Sequence, residues 1–288
     1  MTRLIASLAE ISDAYDAILC DVWGVLHDGR SAFRPASDAL VAYRKRGGVV
    51  AALTNAPRPH PPVLAQMLRL GVAPEALDAV VTSGDATLAL MEGYGNAPVH
   101  TIGHERDMSL FDALAARTGL TPPRVGPHEA TYVLCTGLEH DDRETPADYA
   151  PRLAALAARQ LPFVCANPDI VIHRGADLVY CAGALGRDYA ALGGRVTYAG
   201  KPHAPVYHAA KAVLTRTLGH PPQRILAIGD GFPTDVRGAA GLGIDVLFVA
   251  GGIHRDETLT NGQPDAEKLA ALFAREGVTP AATTGALA

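Results

Sequence analysis

The segment Ala17-Ile18-Leu19-Cys20-Asp21-Val22-Trp23-Gly24-Val25-Leu26 passes from a short, wholly apolar run into an acidic residue and a glycine loop. Four to eight apolar residues without polar alternation indicate a strand buried on both faces, as in a parallel sheet covered by helices. The pattern recurs outward from this point. Residues 35–46 read as an amphipathic helix closed by Gly47-Gly48, and residues 49–53 as a second strand ending at Thr54-Asn55. Residues 61–70 form another expected helix, stopped by Gly71, and residues 79–81 a third strand. Downstream, residues 195–198, 224–228 and 244–249 repeat the strand pattern, with helices near 203–218 and 234–240. The predicted fold class is therefore α/β, with a doubly wound parallel sheet. Its polar residues collect at C-terminal strand ends, where such sheets bind ligands.

Composition agrees with a folded chain and excludes several classes. Of 288 residues, 48% are hydrophobic and 19% charged, which excludes a disordered chain. The mean hydropathy is +0.11, yet no apolar run approaches the ~20 residues of a membrane span. Twenty-five Lys and Arg face 30 Asp and Glu, a net charge of −5 with no basic stripe, so a duplex nucleic acid has no electrostatic support. Cys20, Cys135, Cys165 and Cys181 are far apart and form no Cys-x-x-Cys pair. Three lie in apolar runs, where a cysteine is an ordinary small hydrophobe. With no secretory signal pattern at residues 1–19, a cytoplasmic location is expected.

The middle of the chain has its own elements. Expected strands are 98–102, 131–135, 162–165 and 177–180, with helices at 106–117 and 147–159. The tail, 279–288, is small and polar and is expected to lack fixed structure.

Chemistry gathers at four places: Asp21 after the first strand, Thr54-Asn55 after the next, Lys201 in Gly200-Lys201-Pro202, and Gly229-Asp230-Gly231-Phe232-Pro233-Thr234-Asp235 after a late strand. In this order they resemble the haloacid dehalogenase superfamily, most of whose members are phosphatases. That resemblance implies a Rossmann-like core. It makes Asp21 the nucleophile, Thr54 the phosphate-binding hydroxyl, Lys201 the positioning cation, and Asp230 and Asp235 the acidic pair that holds Mg²⁺. Asp21 and the Trp23 carbonyl would complete the metal set. The 147 positions between Thr54 and Lys201 imply the family's type 2 cap. Thr82-Ser83-Gly84-Asp85, Asn167-Pro168-Asp169 and Ala182-Gly183-Ala184-Leu185 look like its class IIA pattern. The implied division is a discontinuous core, residues 1–84 and 189–288, interrupted by a cap at 85–188. Phosphate or substrate contacts are expected from Thr54, Asn55, Lys201, Asn167 and Asp169, with a small phosphorylated metabolite as partner, no nucleic acid or membrane, and a homodimer as the assembly considered.

Charge arithmetic supports those roles. A carboxylate attacking a phosphate dianion is anion meeting anion, so compensating positive charge is required. Asp230 beside Asp21 worsens the repulsion unless a hard cation lies between them, and Mg²⁺ accepts one or two carboxylates with waters and a phosphate oxygen. Lys201 adds a point charge and Thr54 a hydroxyl donor. Asp235 has two open roles: metal ligand, or partner of Lys201 and cap of the next helix.

One position departs from the pattern. The family's phosphatases usually carry Asp two residues after the nucleophile, where it protonates the leaving alcohol and later activates water. Here Trp23 occupies that place. General acid–base help is typically worth about 10²–10⁴ in rate, so the loss falls on alkoxide leaving groups more than on phenolates. Three readings stay open: a phosphatase that borrows His27 or Asp28, a dehalogenase whose halide needs no proton, and a phosphoester-binding protein with little or no turnover. Arg174, His173 and Arg187 are further candidates for an anionic substrate group. His203 could face the phosphate, and Gly251-Gly252 reads as a plain loop.

Overall fold

The computed structural model describes residues 2–174 and 177–288. The strands are β1 (Arg3–Leu4), β2 (Ala17–Cys20), β3 (Val49–Thr54) and β4 (Ala79–Thr82), then β5 (Val99–Ile102), β6 (Tyr132–Cys135), β7 (Phe163–Cys165), β8 (Val171–Arg174), β9 (Asp177–Tyr180) and β10 (Val196–Tyr198). Toward the C-terminus come β11 (Ile225–Gly229), β12 (Asp245–Val249), β13 (Leu259–Thr260), β14 (Gln263–Pro264) and β15 (Ala282–Thr284). Two compact units result: Met1–Thr54 with Leu64–Val81 and Tyr207–Ala288, and Asn55–Val63 with Thr82–Val206. Residues 55–63, 82–84 and 189–206 thus pack with the second unit, whereas motif spacing alone assigned 1–84 and 189–288 to one body.

The first unit holds a seven-stranded sheet in the order β1-β15-β12-β11-β2-β3-β4. The pairings from β1 through to β3 are parallel. All of β2 is buried, as are all but the first residues of β3, β11 and β12, which is why these strands read as unbroken apolar runs. Register positions the chemistry. Cys20 lies opposite both Ala52 and Ile228, so Asp21, Thr54 and Asp230 emerge at one edge of the sheet. The Asp21 N–H extends the ladder by donating to Ile228 O at 2.8 Å.

The tail does not behave as its composition suggests. Ala282, Thr283 and Thr284 are buried and form β15, inserted between β1 and β12. A strand of small residues carries no periodic signal of its own; its order comes from pairing on both sides.

The second unit contains a four-stranded sheet, β10-β7-β6-β5, parallel throughout. Alternate residues point to opposite faces. Ile102, Val133, Cys135, Phe163 and Cys165 meet Leu153 and Leu156 of the helix Ala150–Ala158 and Leu185 and Tyr189 of Ala182–Ala191. Val99, Tyr132, Leu134 and Val164 meet Leu88 and Met91 of Ser83–Glu92 and Leu110 and Leu114 of Ser109–Thr118. One strand expected in this sheet pairs elsewhere. Asp177–Tyr180 is not in this sheet but pairs antiparallel with Val171–Arg174 as a separate hairpin. The fourth strand is instead Val196–Tyr198, which the sequence pattern grouped with the first unit's strands. Three half-exposed edge residues cannot reveal which sheet they join.

All four cysteines are buried, and none is in a disulfide. Among the described residues, no helix is long and apolar enough to cross a membrane.

Candidate active site

In the first unit, Asp21, Asp230 and Asp235 converge: one carboxylate oxygen from each lies within 4.8 Å of the others, and all three residues are buried. Backbone amides aim them. Val22 N–H donates to Asp21 Oδ1 at 2.7 Å, Ile253 N–H to Asp230 Oδ2 at 2.7 Å, and Gly231 N–H to Asp235 Oδ2 at 3.0 Å. Asp235 stands in the π-type turn Phe232–Val236, so both acids of the Asp230–Asp235 segment come from one loop. Thr54 is buried at the end of β3.

Two ionised carboxylates within 4.8 Å of one another repel by about 3 kcal/mol or more at an effective dielectric of about 20. Such a cluster is costly without a compensating cation. Hard oxygen donors at this separation fit Mg²⁺, which prefers carboxylate and carbonyl oxygens in octahedral geometry.

Sequence reasoning missed what surrounds Asp230. A Cβ on Gly24 or on Gly252 would overlap the Asp230 carboxylate. Gly24 also has φ +81°, a conformation that favours glycine. Gly251-Gly252 is therefore more than a plain loop: Gly252 lets the backbone approach the acid, and Ile253 donates to it. The only local signal was a glycine pair directly after an apolar strand. Gly252→Ala is expected to displace Asp230, costing about 1–3 kcal/mol of stability from overpacking. It should also weaken divalent-cation binding; thermal melts and calorimetry check both.

Trp23 is half-buried on the loop after Asp21. Its backbone pairs with His27, and its ring meets the His27 ring edge-on at 5.2 Å. A Cβ on Gly29 would overlap the indole, so the ring packs against that glycine. The two acids proposed as substitutes are both tied into this loop. His27 is buried, which pushes its pKa down, and its Nδ1 accepts Gly29 N–H at 3.1 Å. Asp28 Oδ1 accepts Ser31 N–H and Arg30 N–H at 2.9 and 2.8 Å; those bonds hold its carboxyl below the usual carboxylate range. An acid held ionised in this way is a poor proton donor.

The second unit brings together Asn55, Asn167, Asp169 and Lys201. Asn55 Oδ1 accepts Lys201 N–H at 2.7 Å, while its Nδ2 donates to Lys201 O at 3.1 Å and to Asp169 Oδ1 at 2.8 Å. Asn55 thereby clamps the backbone of Lys201 on both sides. Asn167 Oδ1 accepts Asp169 N–H at 3.0 Å, a turn that orients Asp169. Lys201, buried, precedes a cis peptide to Pro202. His203 stacks on Tyr198 with ring centroids 4.7 Å apart. The side chains of His173 and Arg174 lie outside the described residues.

Residues 18–116 match a family described as haloacid dehalogenase-like hydrolase, and residues 198–272 one described as HAD-hydrolase-like. A haloacid dehalogenase-like hydrolase from Brucella suis 1330 is 46% identical, with 99% of this chain and 100% of that chain covered and a TM-score of 0.86. The 5'-nucleotidase YutF of Bacillus subtilis is 26% identical over 250 residues, covering 86% of this chain and 91% of the relative. A glycerol phosphate phosphatase from Mycobacterium tuberculosis, solved with magnesium, is 26% identical at a TM-score of 0.66, covering 90% and 74% of the two chains.

Proposed function

This chain belongs to the haloacid dehalogenase-like hydrolase family, and from that membership we propose that it is a Mg²⁺-dependent phosphatase of a small phosphorylated metabolite. The convergence of Asp21, Asp230 and Asp235 carries the reading. Displacement of halide from carbon has no use for three gathered carboxylates, whereas phosphoryl transfer to a carboxylate needs the cation they attract. The names of two relatives, a 5'-nucleotidase and a glycerol phosphate phosphatase, point the same way.

Asp21, Asp230, Asp235 and the Trp23 carbonyl would hold the ion. When bound, Mg²⁺ would neutralise phosphate charge and orient the phosphoryl group. An Asp21 carboxylate oxygen attacks phosphorus; the phosphorus–oxygen bond to the leaving group breaks, leaving an aspartyl phosphate. Water then attacks phosphorus, restoring the Asp21 carboxylate and releasing inorganic phosphate. Thr54 donates a hydroxyl hydrogen bond to the transferring group, and Lys201 adds positive charge to it. Asn55 serves through the clamp on Lys201, and Asn167 and Asp169 orient the same segment. The parallel-sheet unit containing them acts as the cap that selects the substrate. With indole at position 23, no carboxylic acid protonates the leaving oxygen there.

The reading predicts hydrolysis of p-nitrophenyl phosphate in Mg²⁺, lost in EDTA and restored by adding the metal back. Aryl phosphates should outrun alkyl phosphates by about 10²-fold or more, because phenolates leave without a proton. Purified, Mg²⁺-loaded protein that releases no phosphate would sink the reading. Trp23 favours a second reading, in which phosphate esters bind with little turnover; calorimetric binding without product would identify it.

A further inference from the structure

The loop that follows β12 does more than pack against Asp230. Phe232 opens the π-type turn next to the acidic motif, and its ring is buried against Phe248 and Phe273, with centroids 5.7 and 5.8 Å away. The first N–H groups of a helical turn have no partner within it. The Phe232 N–H finds one outside, donating to His254 Nε2 at 3.2 Å. A backbone amide can only donate, so Nε2 must be the unprotonated nitrogen and Nδ1 must carry the hydrogen. Glu257 enforces this arrangement: its Oε1 is in close contact with His254 Nδ1, while its Oε2 accepts from both terminal nitrogens of Arg275 at 3.1 Å. Burial pushes the Glu257 carboxyl up, but the hydrogen bonds from Arg275 and His254 outweigh it and hold it below the usual carboxylate range. The loop is fixed in turn by Thr258, whose hydroxyl lies 2.6 Å from Ala250 O and 2.8 Å from His254 O.

Adjacent residues thus grip the acidic loop at two points: Ile253 N–H on the Asp230 carboxylate and His254 Nε2 on the Phe232 amide. Phe232, the second of those points, lies on the backbone that spaces Asp230 from Asp235 and opens the turn that carries Asp235. We infer that His254 is a positioning residue for this loop, one imidazole tautomer locked by the Glu257–Arg275 pair so that Nε2 caps Phe232 and holds the two acids at the separation a divalent cation requires. The inference rests on the metal-binding reading of the trio. Its closing experiment has one measurement that needs no metal.

Hydrogen exchange of the peptide spanning residues 229–236 is measured in the full chain without metal, and Mg²⁺ affinity by calorimetry. His254→Ala should speed exchange in that peptide. It should also weaken Mg²⁺ by about 10–100-fold, the usual cost of losing a group that orients metal ligands. His254→Gln, whose amide oxygen can accept the Phe232 N–H, should keep exchange near the wild-type rate and Mg²⁺ affinity within about threefold. Glu257→Ala, which frees the tautomer, should fall between them. Unchanged exchange in His254→Ala, or equal losses in the Ala and Gln variants, would overturn the inference. Wild-type protein that binds no Mg²⁺ would overturn the metal reading instead, and the exchange measurement then decides the role of His254 alone.

Discussion

Asp21→Asn is expected to abolish phosphatase turnover, by about 10⁴-fold or more, while raising the melting temperature of the metal-free protein by a few degrees. The two effects share one cause. The carboxylate oxygen is the proposed nucleophile, and an amide cannot form the acyl phosphate, so the whole covalent route closes. The same substitution removes one of three negative charges crowded within 4.8 Å, relieving two pairwise repulsions of about 3 kcal/mol each at an effective dielectric of about 20, discounted by solvent and relaxation. The carbonyl of Asn can still accept the Val22 N–H that Asp21 Oδ1 accepts at 2.7 Å, so that bond is kept. Function and stability therefore oppose one another at this position. Single-turnover phosphate release and thermal melts in EDTA check the two halves. A variant with unaltered turnover would remove Asp21 from the mechanism; a lowered melting temperature would show that the trio is not electrostatically strained.

Trp23→Asp should act in the opposite direction. A carboxyl two residues after the nucleophile restores an acid for the leaving oxygen and a base for water, together worth about 10²–10⁴. The gain should appear with alkyl phosphates, whose alkoxides need the proton, and be small with p-nitrophenyl phosphate. The aryl preference should then shrink by the same factor. The packing cost is local: the indole leaves a gap against Gly29 and the edge of His27, in a half-buried loop. Kinetics on paired aryl and alkyl esters, with circular dichroism to confirm folding, decide the matter. Alkyl turnover that stays flat or falls would show that Trp23 is not simply an acid lost, and that the indole itself serves the reaction.

Much of the site was legible because it is local in sequence. Asp21 and Asp230 directly follow an apolar strand and Thr54 ends one, and parallel pairing at Cys20, Ala52 and Ile228 carries them to one edge. The two short-strand errors share a physical origin. Val196–Tyr198 and Ala282–Thr284 hold three residues each, too few for a period, and their sheet membership is a matter of which distant strand offers hydrogen bonds. Asn55 was expected as a site residue from its place beside Thr54. Its clamp on Lys201, 146 positions away, was not.

The sequence by itself determined the α/β class, the order of the strands that carry Asp21, Thr54 and Asp230, and the identity of the acids, because apolar runs and adjacent residues are local properties. Only the tertiary structure decided which unit receives Val196–Tyr198, that the tail completes a sheet, and that Gly24, Gly252, Ile253 and His254 hold the acidic loop in place. Those contacts join residues far apart in the chain, and a backbone amide donates identically whatever its side chain, so an Ile253 N–H on Asp230 leaves no mark in the residue types.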